Sequence, residues 1–208
     1  MNKKICFLVG SLIAITCIRT ANAQDVIESS VGSEFLNVET WITKPLTKDY
    51  KLSIFSLNTA ERNLDLDETN FMSYTIISYD LFKGFGPTMG TRILKDRVVA
   101  LGGPQYTFYS ERFLFTANFT SEFKSNPDFE FFSIIQSRPR LSEKLDGFLQ
   151  GQFSFNFNND QHLLSFQYVR IGADFGMIQT GLALNQFQFG DDWDYDLQPG
   201  LFLRLEFN

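Results

Sequence analysis

Cysteine is missing from most of this chain: Cys6 and Cys17 are the two in the sequence, and both fall in its opening apolar stretch. Disulfides and thiol chemistry are therefore excluded from everything that follows. Histidine is almost as scarce, with His162 the single copy. Positive charge is in deficit too, since 18 Lys and Arg stand against 24 Asp and Glu. A net charge of −6 argues against nucleic acid as a partner, because phosphate binding needs clustered Lys and Arg. No apolar run reaches the ~20 residues of a membrane-spanning helix, and a 3.6-residue apolar period is hard to find anywhere.

What is present begins with a positive start (Lys3, Lys4), an apolar run from Ile5 to Ile18 and the Ala21-Asn22-Ala23 triplet. That pattern predicts a secretory signal peptide over 1–23, with the mature chain starting at Gln24. Arg19 interrupts the run before it could span a bilayer. Cys17 lacks the small preceding residue of a lipoprotein signal. Cleavage removes three cations and no acid, so the mature chain is more acidic still. The remaining residues, 24–208, fit one domain, with no linker or composition shift to divide them.

Across that domain the recurring pattern is alternation over roughly ten residues, bounded by clusters of Asn, Asp, Gly, Pro, Ser or Lys. In 145–157, Leu145, Leu149, Phe153, Phe155 and Phe157 share one face, opposite Asp146, Gln150, Gln152, Ser154 and Asn156. The stretches 113–120 and 201–208 repeat the arrangement. Less regular candidates are 34–42, 50–58, 71–81, 97–108, 128–138, 162–173 and 177–189, for ten strands in all. The stretches FKGFGPTMGTRILKD and GDDWDYDLQP are read as longer connections on one side of the sheet, as external loops of membrane barrels are.

Alternation fits a soluble sandwich or a membrane barrel. The strands are long, close to the ~9–11 residues of a tilted membrane strand; the apolar face is rich in Phe, with 24 in the chain; and aromatics such as Trp41, Tyr79, Tyr109 and Trp193 recur near strand ends. These features favour a closed antiparallel transmembrane β-barrel of about ten strands, with eight or twelve as the neighbouring counts.

The terminal stretch LFLRLEFN resembles the last strand of Gram-negative outer-membrane β-barrels. The aromatic Phe207 is penultimate here rather than last. The resemblance implies closure of the final strand on the first, recognition of that strand by the barrel-assembly machinery, residence in the cell outer membrane, and contact with its lipid or lipopolysaccharide.

Little in the sequence points to chemistry. Lipid-modifying barrel hydrolases commonly place His and Ser two residues apart so that both share a strand face. Ser165 lies three from His162, so on a regular strand it faces the other way. Asp160 and His162, with Asp65 and Asp67, resemble the paired motifs of omptin outer-membrane proteases. The topology of ten strands puts Asp65 and Asp67 at the opposite end, which makes a protease the remotest reading. The cluster Asp191, Asp192, Asp194 and Asp196 lacks the spacing of a calcium loop and reads as a solvated loop. KGFGPTMG and LGGPQ read as turn chemistry or a strand kink, with no helix following to cradle phosphate. No cofactor or metal is expected, nor is enzymatic activity.

Charged residues on the polar ribbons are more informative. Glu39, Glu130, Arg138, Asp146, Arg204 and Glu206, with Gln136, Gln150, Gln152 and Asn156, are placed by parity on the luminal side. Facing lipid, an Arg at mid-bilayer would cost ~2–4 kcal/mol. Two functions follow: a structural or surface-binding barrel whose lumen these groups plug, or a narrow channel for small solutes. The plug is favoured, since open aqueous channels belong to barrels of ~16 strands.

Overall fold

A computed structural model describes residues 24–65 and 68–207. The expected signal peptide and its two cysteines, as well as Asp67 and Asn208, lie outside the described residues. The chain folds as β1 (Gln24–Gly32), β2 (Phe35–Pro45), β3 (Leu52–Asn63), β4 (Glu68–Tyr79), β5 (Phe85–Ile93), β6 (Val98–Ser110), β7 (Phe113–Glu122), β8 (Phe129–Ser137), β9 (Arg140–Ser142), β10 (Leu145–Phe157), β11 (His162–Asp174), β12 (Ile178–Phe189) and β13 (Asp194–Phe207).

Each long strand pairs antiparallel with its neighbours, and the last returns to the first, with Asp25 opposite Phe207 and Gly32 opposite Gly200. The sheet is therefore a closed barrel of twelve long strands, with β9 a short appendage paired to β10. Closure removes the exposed edges that an open sheet would offer.

The expected count of ten is corrected by two strands. The first is β1, whose inward positions Val26, Glu28 and Ser30 are all buried; with Glu28 and Ser30 among them, no apolar stripe marks it. The second is β5, inside the stretch read as a connection. Its glycines serve close strand packing: a Cβ on Gly90 would lie 1.9 Å from the Thr75 carbonyl oxygen, and one on Gly86 1.7 Å from that of Tyr79. The supposed loop before the last strand is also partly strand, since β13 starts at Asp194.

Loop lengths differ from expectation for the same reason. At the end holding both termini the connections are 46–51, 80–84, 111–112, 175–177 and the segment carrying β9; at the far end they are 33–34, 64–67, 94–97, 123–128, 158–161 and 190–193. Both rims are short-looped.

Strand parity and register divide the side chains cleanly. Outward positions are dominated by large apolar groups left exposed, among them Phe71, Ile77, Met89, Phe119, Leu149, Leu182, Leu201 and Leu203. Among the described strand residues, the charged groups facing outward are Asp25, Lys44 and Arg62, all near strand ends, with Lys44 3.8 Å from Asp25. A polar but uncharged strip on β2–β4 satisfies itself: Ser73 donates to Asn58 at 2.7 Å, Asn58 to Thr40 at 3.3 Å, and the Ser56 and Thr75 hydroxyls lie 2.9 Å apart. The inward face carries the core, a mixture of buried charges with Trp41, Leu57, Tyr74, Leu101, Phe132, Ile134, Phe166 and Tyr168. The lumen is thus less purely polar than the ribbons of the sequence suggest.

Candidate functional site: a charged interior with a vestibule

Side chains from well-separated strands meet across the barrel. Near the terminal end, Arg138 on the β8–β9 connection bonds Glu206 of β13 and lies 3.5 Å from Asp174 of β11. Deeper in, the Arg204 guanidinium is fully buried, donates to Gln150 Oε1 at 2.6 Å and Gln136 Oε1 at 3.2 Å, and lies 4.4 Å over the Trp41 ring. Arg170 donates to Glu28 at 2.6 Å and to Asn185 at 2.8 Å. From the opposite wall, Gln152 donates to Glu39 at 3.3 Å, and the Trp41 indole N–H bonds the same carboxylate.

A second lock occupies the far end. Arg92 of β5 donates to Glu130 at 3.0 Å, Asn156 at 2.7 Å and Glu122 at 2.9 Å. Lys124 closes the rim over it, 2.7 Å from Glu122 and 2.9 Å from Asp128, and these bonds hold its ammonium above its usual pKa range. Between the locks, Phe132 of β8 packs on Tyr74 of β4 with centroids 5.6 Å apart.

Of the residues placed on the lumen by parity, Glu39, Glu130, Gln136, Gln150, Gln152, Asn156, Arg204 and Glu206 are buried inside the barrel. Arg138 sits at the terminal rim, and Asp146 pairs with Arg140 there at 3.5 Å with partial exposure. Sequence reasoning missed Glu28, Arg92, Glu122 and Arg170. Glu28 and Arg92 lie in β1 and β5, where no strand was assigned. A count of inward positions on those two strands is the signal that would have found them.

Among the described residues, a cavity of about 640 Å³ opens at the terminal end and runs inward along β2–β7, and a second of about 440 Å³ lies on the same rim between Arg112, Arg138 and Asp174. Trp41, Ile76 and Ile134 line the depths of the larger, while Thr43, Ser53, Ser78, Gln105, Thr107, Thr116 and Asn118 supply hydroxyl and amide groups along its walls, with Phe55 and Tyr109 between them. Charge is confined to Lys51 and Asp80. The Thr107 and Thr116 hydroxyls are 2.9 Å apart, so neighbouring strands present paired polar groups to the space.

The pair His162 and Ser165 departs from the sequence reading. Asn156 of β10 pairs Leu164 of β11, but Phe157 pairs His162, so the register shifts by one residue. That bulge restores the shared face which i, i+3 spacing denies, and His162 Nε2 lies 2.7 Å from Ser165 Oγ. The other ring nitrogen, Nδ1, is 2.8 Å from the Gly190 carbonyl. A carbonyl can only accept, so Nδ1 carries the proton, and in the neutral ring Nε2 is left to accept from the serine hydroxyl. The expected separation of the two is wrong. The expected placement of Asp65 also changes: it and the 158–161 connection both lie at the far end, on opposite sides of the ring.

No protein-family model matches the chain, and no curated protein matches it in sequence. Solved structures do match. LpxR from Salmonella typhimurium is 7% identical, with 89% of this chain and 99% of that one covered and a TM-score of 0.49. A bacterial polysaccharide outer-membrane secretin is 11% identical over 89% and 98%, with a TM-score of 0.35. The β domain of the Bordetella autotransporter BrkA is 8% identical over 89% and 97%, with a TM-score of 0.38. These are outer-membrane β-barrel proteins, and at such identities no residue role passes from them to this chain. The expectation of no enzymatic activity does not stand: its ground, His162 and Ser165 facing apart, is removed by their 2.7 Å approach, and LpxR, one of the matched structures, is itself an enzyme.

Proposed function

We propose that this protein is an integral outer-membrane barrel whose lumen is sealed and whose terminal-end vestibule holds a small uncharged ligand. The outer wall supports the membrane reading: charge is kept to strand ends, and the middle of the wall is apolar or self-satisfied, as a lipid-facing surface requires. The inward ion pairs support sealing, since Arg92–Glu130, Arg170–Glu28 and Arg138–Glu206 each reach past neighbouring strands and remove space that a conduit needs.

The observation that carries the binding role is the vestibule itself. Its volume falls within the ~300–1,000 Å³ of ligand sites, and its mixture of ring faces with convergent hydroxyls and amides fits such a site. Rings such as Trp41 and Tyr109 suit the apolar face of a sugar ring, while the Thr, Ser, Gln and Asn groups suit its hydroxyls. The sparse charge disfavours an ionic ligand.

Trp41 and Trp193 are the two tryptophans, so Trp193→Phe leaves a single emitter at the vestibule. Titrating that variant with neutral mono- and disaccharides should give a saturable change in Trp41 emission, abolished by Asn118→Leu. An emission unchanged by any of these sugars up to high millimolar concentration would reject the ligand class.

A further inference from the structure

On the outer wall, away from the vestibule, we propose that His162 and Ser165 form a base–nucleophile pair that cleaves an acyl ester of a membrane lipid. The geometry is that of an activated hydroxyl: Oγ to Nε2 is 2.7 Å, and the opposite ring nitrogen is anchored on the Gly190 carbonyl at 2.8 Å, which fixes the tautomer with its basic nitrogen toward the serine. The main-chain N–H of His162 is held in turn by Asp191 at 3.0 Å.

The surroundings select the substrate class. By register Ser165 faces outward between Phe155 of β10 and Gln188 of β12. On the β10 side the wall is a continuous phenyl surface, with Phe131 tilted against Phe155 and Phe129 stacked near Phe157. On the β12 side it is amide, where Gln167 donates to Gln188 at 2.8 Å. An outward serine at the far rim, with an apolar surface on one flank and hydrogen-bonding groups on the other, is placed for a molecule whose ester lies between acyl chain and polar head.

The chemistry balances with water as the co-substrate. Ser165 Oγ bonds to the ester carbonyl carbon as its proton passes to His162 Nε2. The carbon–oxygen bond to the alcohol then breaks, and Nε2 returns that proton to the departing oxygen. Water adds to the acyl-serine carbonyl carbon, gives a proton to Nε2, and the acid leaves as Oγ recovers it. Net, ester and water become acid and alcohol.

Ser165 is fully buried, so this is a closed state. The Trp193 indole stacks on the imidazole with centroids 4.1 Å apart. Trp193 holds φ at 55°, a left-handed conformation unfavourable for a bulky residue. Lifting that ring off the imidazole opens the dyad.

The test is covalent labelling of the full mature barrel in micelles with a long-chain alkyl fluorophosphonate, alongside hydrolysis of 4-nitrophenyl palmitate. Heat-modifiable migration verifies that each variant is folded. Label should map to Ser165, be absent from Ser165→Ala, and form roughly 10²-fold or more slowly in His162→Ala, the scale of a lost general base. Trp193→Ala should label at least as fast as the parent; label in that variant alone also supports the dyad, with the indole as its cover. No label in either folded protein overturns the proposal, as does labelling or hydrolysis that persists in Ser165→Ala. Either failure leaves the vestibule reading intact.

Discussion

Arg204 shows how many neighbours a single buried side chain can tie together. It lies between Trp41 and Phe148, donates to two glutamine oxygens, and has Glu28 and Glu206 each 3.8 Å away. Removing one member of a buried pair strands the others, at a cost of ~3–5 kcal/mol. Arg204→Ala should therefore lower the urea midpoint for loss of the folded, heat-modifiable form by that equivalent, whereas Lys44→Ala, at a partly exposed pair near the rim, should change it by less than ~1 kcal/mol. Equal small effects would mean that the guanidinium is not a structural spoke.

Among the elements, β5 makes the sharpest test because its sequence looks so unlike a strand. If Gly90 is held by the approach of the Thr75 carbonyl, Gly90→Val should block refolding into the heat-modifiable form, while Thr91→Val on the outward face should refold normally. Normal refolding of both would place β5 wrongly. The same strand shows what the sequence could and could not reveal. Strands such as β10 and β13 are legible because outward-facing Leu and Phe alternate with polar groups, and Arg204 and Glu206 follow from that parity. β5 is hidden because its packing demands glycines that mimic turns, and β1 because one inward position is a glutamate needed by Arg170. The His162–Ser165 pair is hidden by the bulge at Leu163, which changes facing without leaving any mark in residue spacing. Cavities are set by which inward side chains are small on adjacent strands, so the vestibule emerges only once register is known.

At the scale of the whole molecule, twelve strands enclose an interior crossed by ion pairs at both ends, Arg138, Glu206 and Asp174 at one and Arg92, Glu122 and Glu130 at the other, with aromatic packing between. On the proposed reading the interior is sealed and the vestibule blind, so that it retains a ligand and passes none through. The most direct measurement is single-channel recording of the purified barrel in a planar bilayer. A sealed lumen should give no steady conductance at moderate voltage and neutral pH, in the parent and in Lys51→Ala at the vestibule alike. A reproducible conductance whose ion selectivity shifts on Arg204→Ala would show instead that the charged interior is a conduit.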